Sequence, residues 1–212
     1  MEILHYKQQE RKENMTKMIR VYAIIGKAGS GKDYVLKKVL KNIDAHGIVS
    51  CTSRPPRESE VEGKDYHFVS PEYFENNHDK FLEYQSFNGW WYGTRYEDLS
   101  EEKINIGVFN PDGLYDLIES EVDRVHVIYL LANDKVRLIR QLQREENPNI
   151  QEIFRRYETD EADFAGIHYS LQMLPPEDRF CVDNSQNGIE TVYEIVQFIK
   201  EAEKREYIKN EN

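Results

Sequence analysis

The chain predicts an α/β protein: a mostly parallel sheet flanked by helices on both faces, with one small mixed α/β insertion. Three observations carry this expectation. Short β-branched and apolar runs, such as RVYAII at 20–25, alternate with segments whose apolar residues recur at helical spacing. The stretch 53–98 breaks that alternation with aromatic-rich extended runs. Finally, 212 residues are enough to bury a sizeable core.

Taken in order, residues 1–18 are polar and lack periodicity, which predicts a flexible N-terminal extension. Residues 20–25 form a buried strand. A helix over 33–44 follows, with Val35, Leu36, Val39, Leu40 and Ile43 on one face. Residues 48–51 form a second short strand. Within 53–98, runs at 66–69 and 81–87 are extended, and Asn88-Gly89 before Trp90-Trp91-Tyr92 marks a tight hairpin. Ser70-Pro71 opens a short helix, with the serine as N-cap. Beyond 104 the alternation resumes: strand 104–109, helix 111–120, strand 124–131, and a helix capped by Asn133 that runs to about 146. Pro148-Asn149 breaks it, and a second helix carries Ile153, Phe154 and Tyr157. The last strand is 179–182. A C-terminal helix presenting Ile189, Val192, Ile195, Val196 and Ile199 gives way to a flexible tail at 206–212.

Composition excludes several classes. With 28 basic and 39 acidic residues the net charge is −11, which argues against non-specific grip on nucleic acid. No apolar run approaches the roughly 18 residues of a membrane span, and the N-terminal segment lacks a signal peptide's apolar stretch. Cys51 and Cys181 make neither a disulfide framework nor a metal cluster. A soluble, cytoplasmic protein, monomer or homodimer, is expected. The histidines lack metal-ligand spacing, Cys51 reads as a small buried thiol, and Trp90 and Trp91 read as packing for the insertion.

The sharpest motif is Gly26-Lys27-Ala28-Gly29-Ser30-Gly31-Lys32, which matches G-x-x-x-x-G-K between a predicted strand and a predicted helix. Glycines let successive N–H groups curl inward around phosphate oxygens at the positive end of a helix, and Lys32 adds a mobile cation. This predicts a cradle for the phosphates of a nucleotide. Asp33 stands where Ser or Thr usually reaches Mg²⁺. Its carboxylate suits two roles, a hard-cation ligand or a favourable first-turn acid.

On the acceptor side, Arg54 and Arg57 lie three apart in Ser50-Cys51-Thr52-Ser53-Arg54-Pro55-Pro56-Arg57, a proline-stiffened loop whose guanidinium forks can converge on one phosphate. Arg137, Arg140 and Arg144 recur at helical spacing, with Arg155-Arg156 on the next helix. A solvated helix face with pairs such as Glu152–Arg156 is the alternative.

The segments GKAGSGK, TSRPPRESEVEGKDYHFVS and FLEYQSFNGWWYGT, with the arginine-rich helices around 137–156, resemble the guanylate kinase family from about residue 20 to 200. The resemblance implies transfer of phosphate from ATP, with Mg²⁺, to GMP or dGMP. It implies a P-loop NTPase core that binds ATP at 19–52 and 99–205, an acceptor-binding insertion at 53–98, and a helical lid at about 137–160. Arg54, Arg57, Tyr66 and Tyr92 then look like ligands of the acceptor's phosphate, and Ser50, Glu83 and Thr94 like residues facing the base. An ionised Glu83 matches the adjacent N1–H and 2-amino donors of guanine, whereas adenine would leave it unpaired. Lys32, Arg140, Arg144 and Arg156 look catalytic, placing cations where phosphoryl transfer spreads negative charge. The sequence departs from the family at Val108 and Asn110, where acidic residues are usual. Asn110 can still accept a hydrogen bond from the base, or can cap the helix begun by Pro111. Two alternatives stay open: a kinase of another (deoxy)nucleoside monophosphate or sugar phosphate, and a phosphoprotein-binding module of the same fold. Intact loop glycines and Lys32 speak against the latter.

Overall fold

The computed structural model describes residues 18–56, 60–87, 89–144 and 146–211. The predicted extension at 1–18 lies, apart from Met18, outside the described residues, as do Arg57 and Asn88. The core is a five-stranded parallel sheet in the order β2 (His46–Gly47), β7 (Asn105–Val108), β1 (Arg20–Ile25), β8 (Arg124–Leu131), β9 (Arg179–Asp183). β1 is buried on both faces, which is why RVYAII reads as a continuous apolar run. Tyr22 and Ile24 pack against α1 (Lys32–Val39) and α7 (Gly188–Glu211). Val21, Ala23 and Ile25 face the opposite layer of α3 (Pro111–Glu119) and α6 (Ile167–Gln172).

A second, mixed sheet has the order β4 (His67–Phe68), β3 (Cys51–Thr52), β6 (Trp90–Arg95), β5 (Phe81–Phe87), with β5 and β6 antiparallel. Its own small core joins Cys51, Phe74 on α2 (Pro71–Asn76) and Phe81, with Trp91 and Tyr84 against them. Between β8 and β9 lie α4 (Asp134–Gln143), α5 (Ile150–Asp163) and α6.

The α/β class stands as expected, and several expectations need correcting. The helix predicted over 33–44 ends at Val39; Ile43 reaches the core from the turn beyond it, which extended the apolar spacing past the helix. The strand predicted at 48–51 falls mostly between two short strands of different sheets: the chain leaves the core after Ile48, whose N–H still donates to Ile106 O, and enters the second sheet at Cys51. α6 was not anticipated, since six residues carry too few turns to show a period; Ile167 and Leu171 bury one side of it.

The tail predicted flexible at 206–212 is helical to Glu211. The buried face of α7 continues through Ile195, Ile199, Ala202 and Glu206, and Glu206 lies 3.7 Å from the Arg124 guanidinium. Ile189, placed on that face from sequence, is 75% exposed. Trp90 does not pack the insertion; it is 38% exposed and turns toward the cavity described next.

Candidate active site

At the carboxyl ends of β1 and β7, where open α/β sheets bind ligands, a cavity of about 640 Å³ opens between the two sheets and the α4–α5 pair. Its floor is the loop between β1 and α1. Gly31 caps α1 in the left-handed region (φ 98°), and Gly29 has φ 78°, conformations that disfavour a side chain. A Cβ on Gly31 would also sit 2.6 Å from Asn184 Nδ2. The crown is closed by Lys32, whose Nζ donates to Gly26 O at 2.6 Å and Lys27 O at 3.3 Å. Its ammonium is sunk among loop carbonyls, and this burial pushes its pKa below the usual lysine value. Asp33 is exposed in the first turn of α1 and borders the cavity.

The loop is braced from behind by Arg137, read from sequence only as one of the helical arginines, and by Asp160 and Asn184, which sequence reasoning did not single out. Asp160 on α5 accepts the Ala28 N–H at 2.6 Å, and Asn184 after β9 donates to Ser30 O at 2.7 Å. Arg137, 1% exposed, donates to Ala28 O at 3.1 Å and to Asp160 Oδ2 at 3.0 Å. Lys27 turns away to pair with Glu161 at 2.6 Å, and Ser30 is buried, so neither side chain borders the cavity. A polar residue just past the last parallel strand is a signal that could have flagged Asn184. Asp160 carries no such mark among the acids of its helix.

The arginines divide. Arg140 borders the cavity, yet its guanidinium is held by Gly29 O, Ser30 O and Asn184 O at 3.3, 3.2 and 2.6 Å, so it braces the loop as well. Arg144 borders the cavity close enough for its charge to act on Lys32. Arg156 and Arg155 both bind Glu152, whose carboxyl they hold down at about 2, Arg155 contributing most. The pairing of Glu152 with Arg156 is the one read from helical spacing.

Across the cavity stand Ser50, Arg54, Tyr66, Glu83 and Tyr92. Arg54 lies over the Tyr66 ring at 5.6 Å, and Tyr66 meets Tyr92 edge to face at 6.1 Å. Arg54 Nη2 donates to both Glu60 oxygens at 2.8 Å, and its Nη1 to Pro55 O at 2.6 Å. Thr94 is buried behind this surface, 3.4 Å from Ser50 Oγ. Glu83, 7% exposed, is raised to about 7 by burial, with Thr94 hydrogen bonds pulling down and the Asp116 charge pushing further up. Asn110 also borders the cavity, but its side-chain oxygen accepts the Gly113 N–H at 2.6 Å. Of its two readings from sequence, the helix cap is therefore formed. Together these groups can hold two phosphorylated ligands face to face, one on the loop and one against Arg54 and Glu83.

A glycine-rich loop under a lysine, at the edge of a parallel sheet and facing an arginine-bearing insertion, defines a P-loop kinase of small phosphorylated acceptors. Comparison with known proteins narrows this. The guanylate kinase family profile matches residues 18–197. Similar proteins include guanylate kinase of Fusobacterium nucleatum, 30% identical over 174 residues that cover 77% of this chain and 88% of that one. Guanylate kinase of Porphyromonas gingivalis is 28% identical over 186 residues, covering 82% and 97%. The crystal structure of guanylate kinase from Anaplasma phagocytophilum superposes with a TM-score of 0.57 at 22% identity, covering 88% and 87% of the two chains. The chain belongs to the guanylate kinase family.

Proposed function

We propose that this chain transfers the γ-phosphoryl group of ATP to the phosphate of GMP or dGMP, releasing ADP and the nucleoside diphosphate. The observation that carries the reading is that the loop crown and the buried Glu83 carboxylate open into one cavity of about 640 Å³, within the range of small-molecule sites.

The loop amides and Lys32 would hold the ATP phosphates, and Arg140, Arg144 and Arg156 would place cations around the migrating group. Phosphoryl transfer then needs alignment and charge stabilisation in a water-poor site: an acceptor phosphate oxygen forms the new P–O bond as the bond to the ADP oxygen breaks. The acceptor phosphate is already anionic, so no side chain has to remove a proton. Arg54, Arg57, Tyr66 and Tyr92 would seat that phosphate, Arg54 exchanging its Glu60 partner for it. Ser50, Glu83 and Thr94 would read the base, with Asn110 contributing through the helix turn that it caps. Residues 53–98 serve as the acceptor-binding insertion and about 137–160 as the lid.

Among the described residues no group of three or more His, Cys, Asp or Glu side chains could cage a metal. The residues present fit Mg²⁺ held mainly by phosphate oxygens and water, with Asp33 as the protein ligand. Such an ion, when bound, neutralises charge on the phosphates. The test is an assay of ADP release with ATP and separate GMP, dGMP, AMP, CMP and ribose phosphate acceptors. Turnover on GMP or dGMP supports the reading; turnover on another phosphate ester alone, or on none, refutes it.

A further inference from the structure

The guanine-reading role of Glu83 leaves open what aims its side chain, because the ladder alone does not. β5 is an edge strand, and its pairing with β6 shifts register between Phe81 and Glu83. Such an irregularity re-aims the side chain that follows it. The support comes from the core instead. Glu83 and Gln85 are two apart on β5 and so share one face, and that face packs on α3. On α3, Gly113 and Asp116 are three apart and share one face of the helix. Gly113 lets the carboxylate lie against the helix backbone: a Cβ there would sit 2.8 Å from Glu83 Oε2 and 2.9 Å from Asn110 Oδ1. One turn along, Gln85 Nε2 donates to Asp116 Oδ2 at 2.5 Å.

We propose that Gln85 and Asp116 are positioning residues for the acceptor's base, their hydrogen bond clamping β5 onto α3 so that Glu83 stays aimed into the cavity across Gly113. This rests on the acceptor reading above. The clamp joins the second sheet to a helix of the core through side chains that do not border the cavity. Asp116 also faces Glu83 with a negative charge, whereas the β6 neighbour Thr94 faces it with hydrogen-bond donors.

Steady-state kinetics on the full chain, with ATP and GMP varied separately across pH 6–9, tests the pair through Gln85→Ala and Asp116→Asn. Loss of the clamp in Gln85→Ala should raise the GMP KM roughly tenfold, with kcat and the ATP KM within about twofold of the parent. Asp116→Asn can still accept from Gln85, so at pH 8 its GMP KM should stay near the parent value. Removing its charge should move the acid limb of GMP affinity to lower pH, which a merely structural role would not do. An unchanged GMP KM in Gln85→Ala, an equal rise in the ATP KM, or an unmoved acid limb in Asp116→Asn overturns the clamp. A parent protein that turns over ATP with some other acceptor but never GMP or dGMP overturns the acceptor reading itself, a separate result. Should Gln85→Ala fail to fold, the pH profile of Asp116→Asn decides alone.

Discussion

The Arg137 guanidinium donates to Asp160 Oδ2 at 3.0 Å, and the same oxygen accepts the Ala28 N–H at 2.6 Å. One buried carboxylate thus ties the phosphate loop to both helices of the arginine-rich pair. Burial pushes the Asp160 pKa up, against the pull of Ala28, Lys32 and Arg137, and its ionised form persists because those partners surround it. Asp160→Ala should destabilise the protein by about 3 kcal/mol, the usual cost of leaving one partner of a buried pair behind. Asp134 and Glu161, at 2.9 and 3.3 Å from Arg137, soften the loss. Urea denaturation of parent and variant checks this; a change under ~0.5 kcal/mol would show the pair to be dispensable.

Lys32 sets catalysis against stability. Its ammonium is sunk among carbonyls, and burial lowers its pKa, so the charged form is disfavoured by the fold. Lys32→Met should therefore keep or raise the melting temperature while lowering kcat by about a hundredfold or more. A variant that melts earlier and retains its rate would contradict both halves.

Glu83 makes acceptor binding depend on pH. The ionised carboxylate is the form that pairs with two adjacent donors, and its pKa stands at about 7 in the fold. GMP affinity should rise as pH increases through about 7 and flatten above 8, whereas ATP affinity should not follow that curve. For stability the sign reverses. Between the ordinary value of 4.5 and about 7 the folded state holds a proton that the unfolded chain releases. The unliganded protein should thus lose stability as pH rises across that window, on the order of 3 kcal/mol. Glu83→Gln should abolish both trends and weaken the preference for guanine over adenine. Calorimetric titration with GMP across pH, beside melting curves of the unliganded protein, measures each.

Asp33 predicts a metal phenotype. Asp33→Ala should raise the Mg²⁺ concentration needed for half-maximal rate, and ATP binding measured in EDTA should hold or tighten because a negative charge has gone. A Mg²⁺ titration identical to the parent's would leave Asp33 only its place in the first turn of α1.

Much of this was legible in the sequence because it is local. Strand β8 was read to its last residue, Asn133 does cap the helix that follows it, and Pro148-Asn149 does separate two helices, with Asn149 capping the second. The loop motif and the residues facing it came from contiguous segments, and Lys32, Arg54, Tyr66, Glu83 and Tyr92 do border one cavity. What stayed hidden depends on contacts distant in the chain. Asp160 reaches a loop 132 residues away, and Gln85 meets Asp116 across 31; no spacing rule encodes either. Periodicity misled where a turn imitated a helix at Ile43, and the predicted tail at 206–212 missed a helix that runs to Glu211 with Glu206 on its buried face.

The most direct test of the account is whether GMP, with ATP and Mg²⁺, yields GDP and ADP in equal amounts. The account predicts stoichiometric GDP at pH 8, at least about a hundredfold faster than the diphosphate formed from AMP under the same conditions, because adenine leaves the buried Glu83 unpaired. ADP without GDP, or AMP converted as readily as GMP, would contradict it.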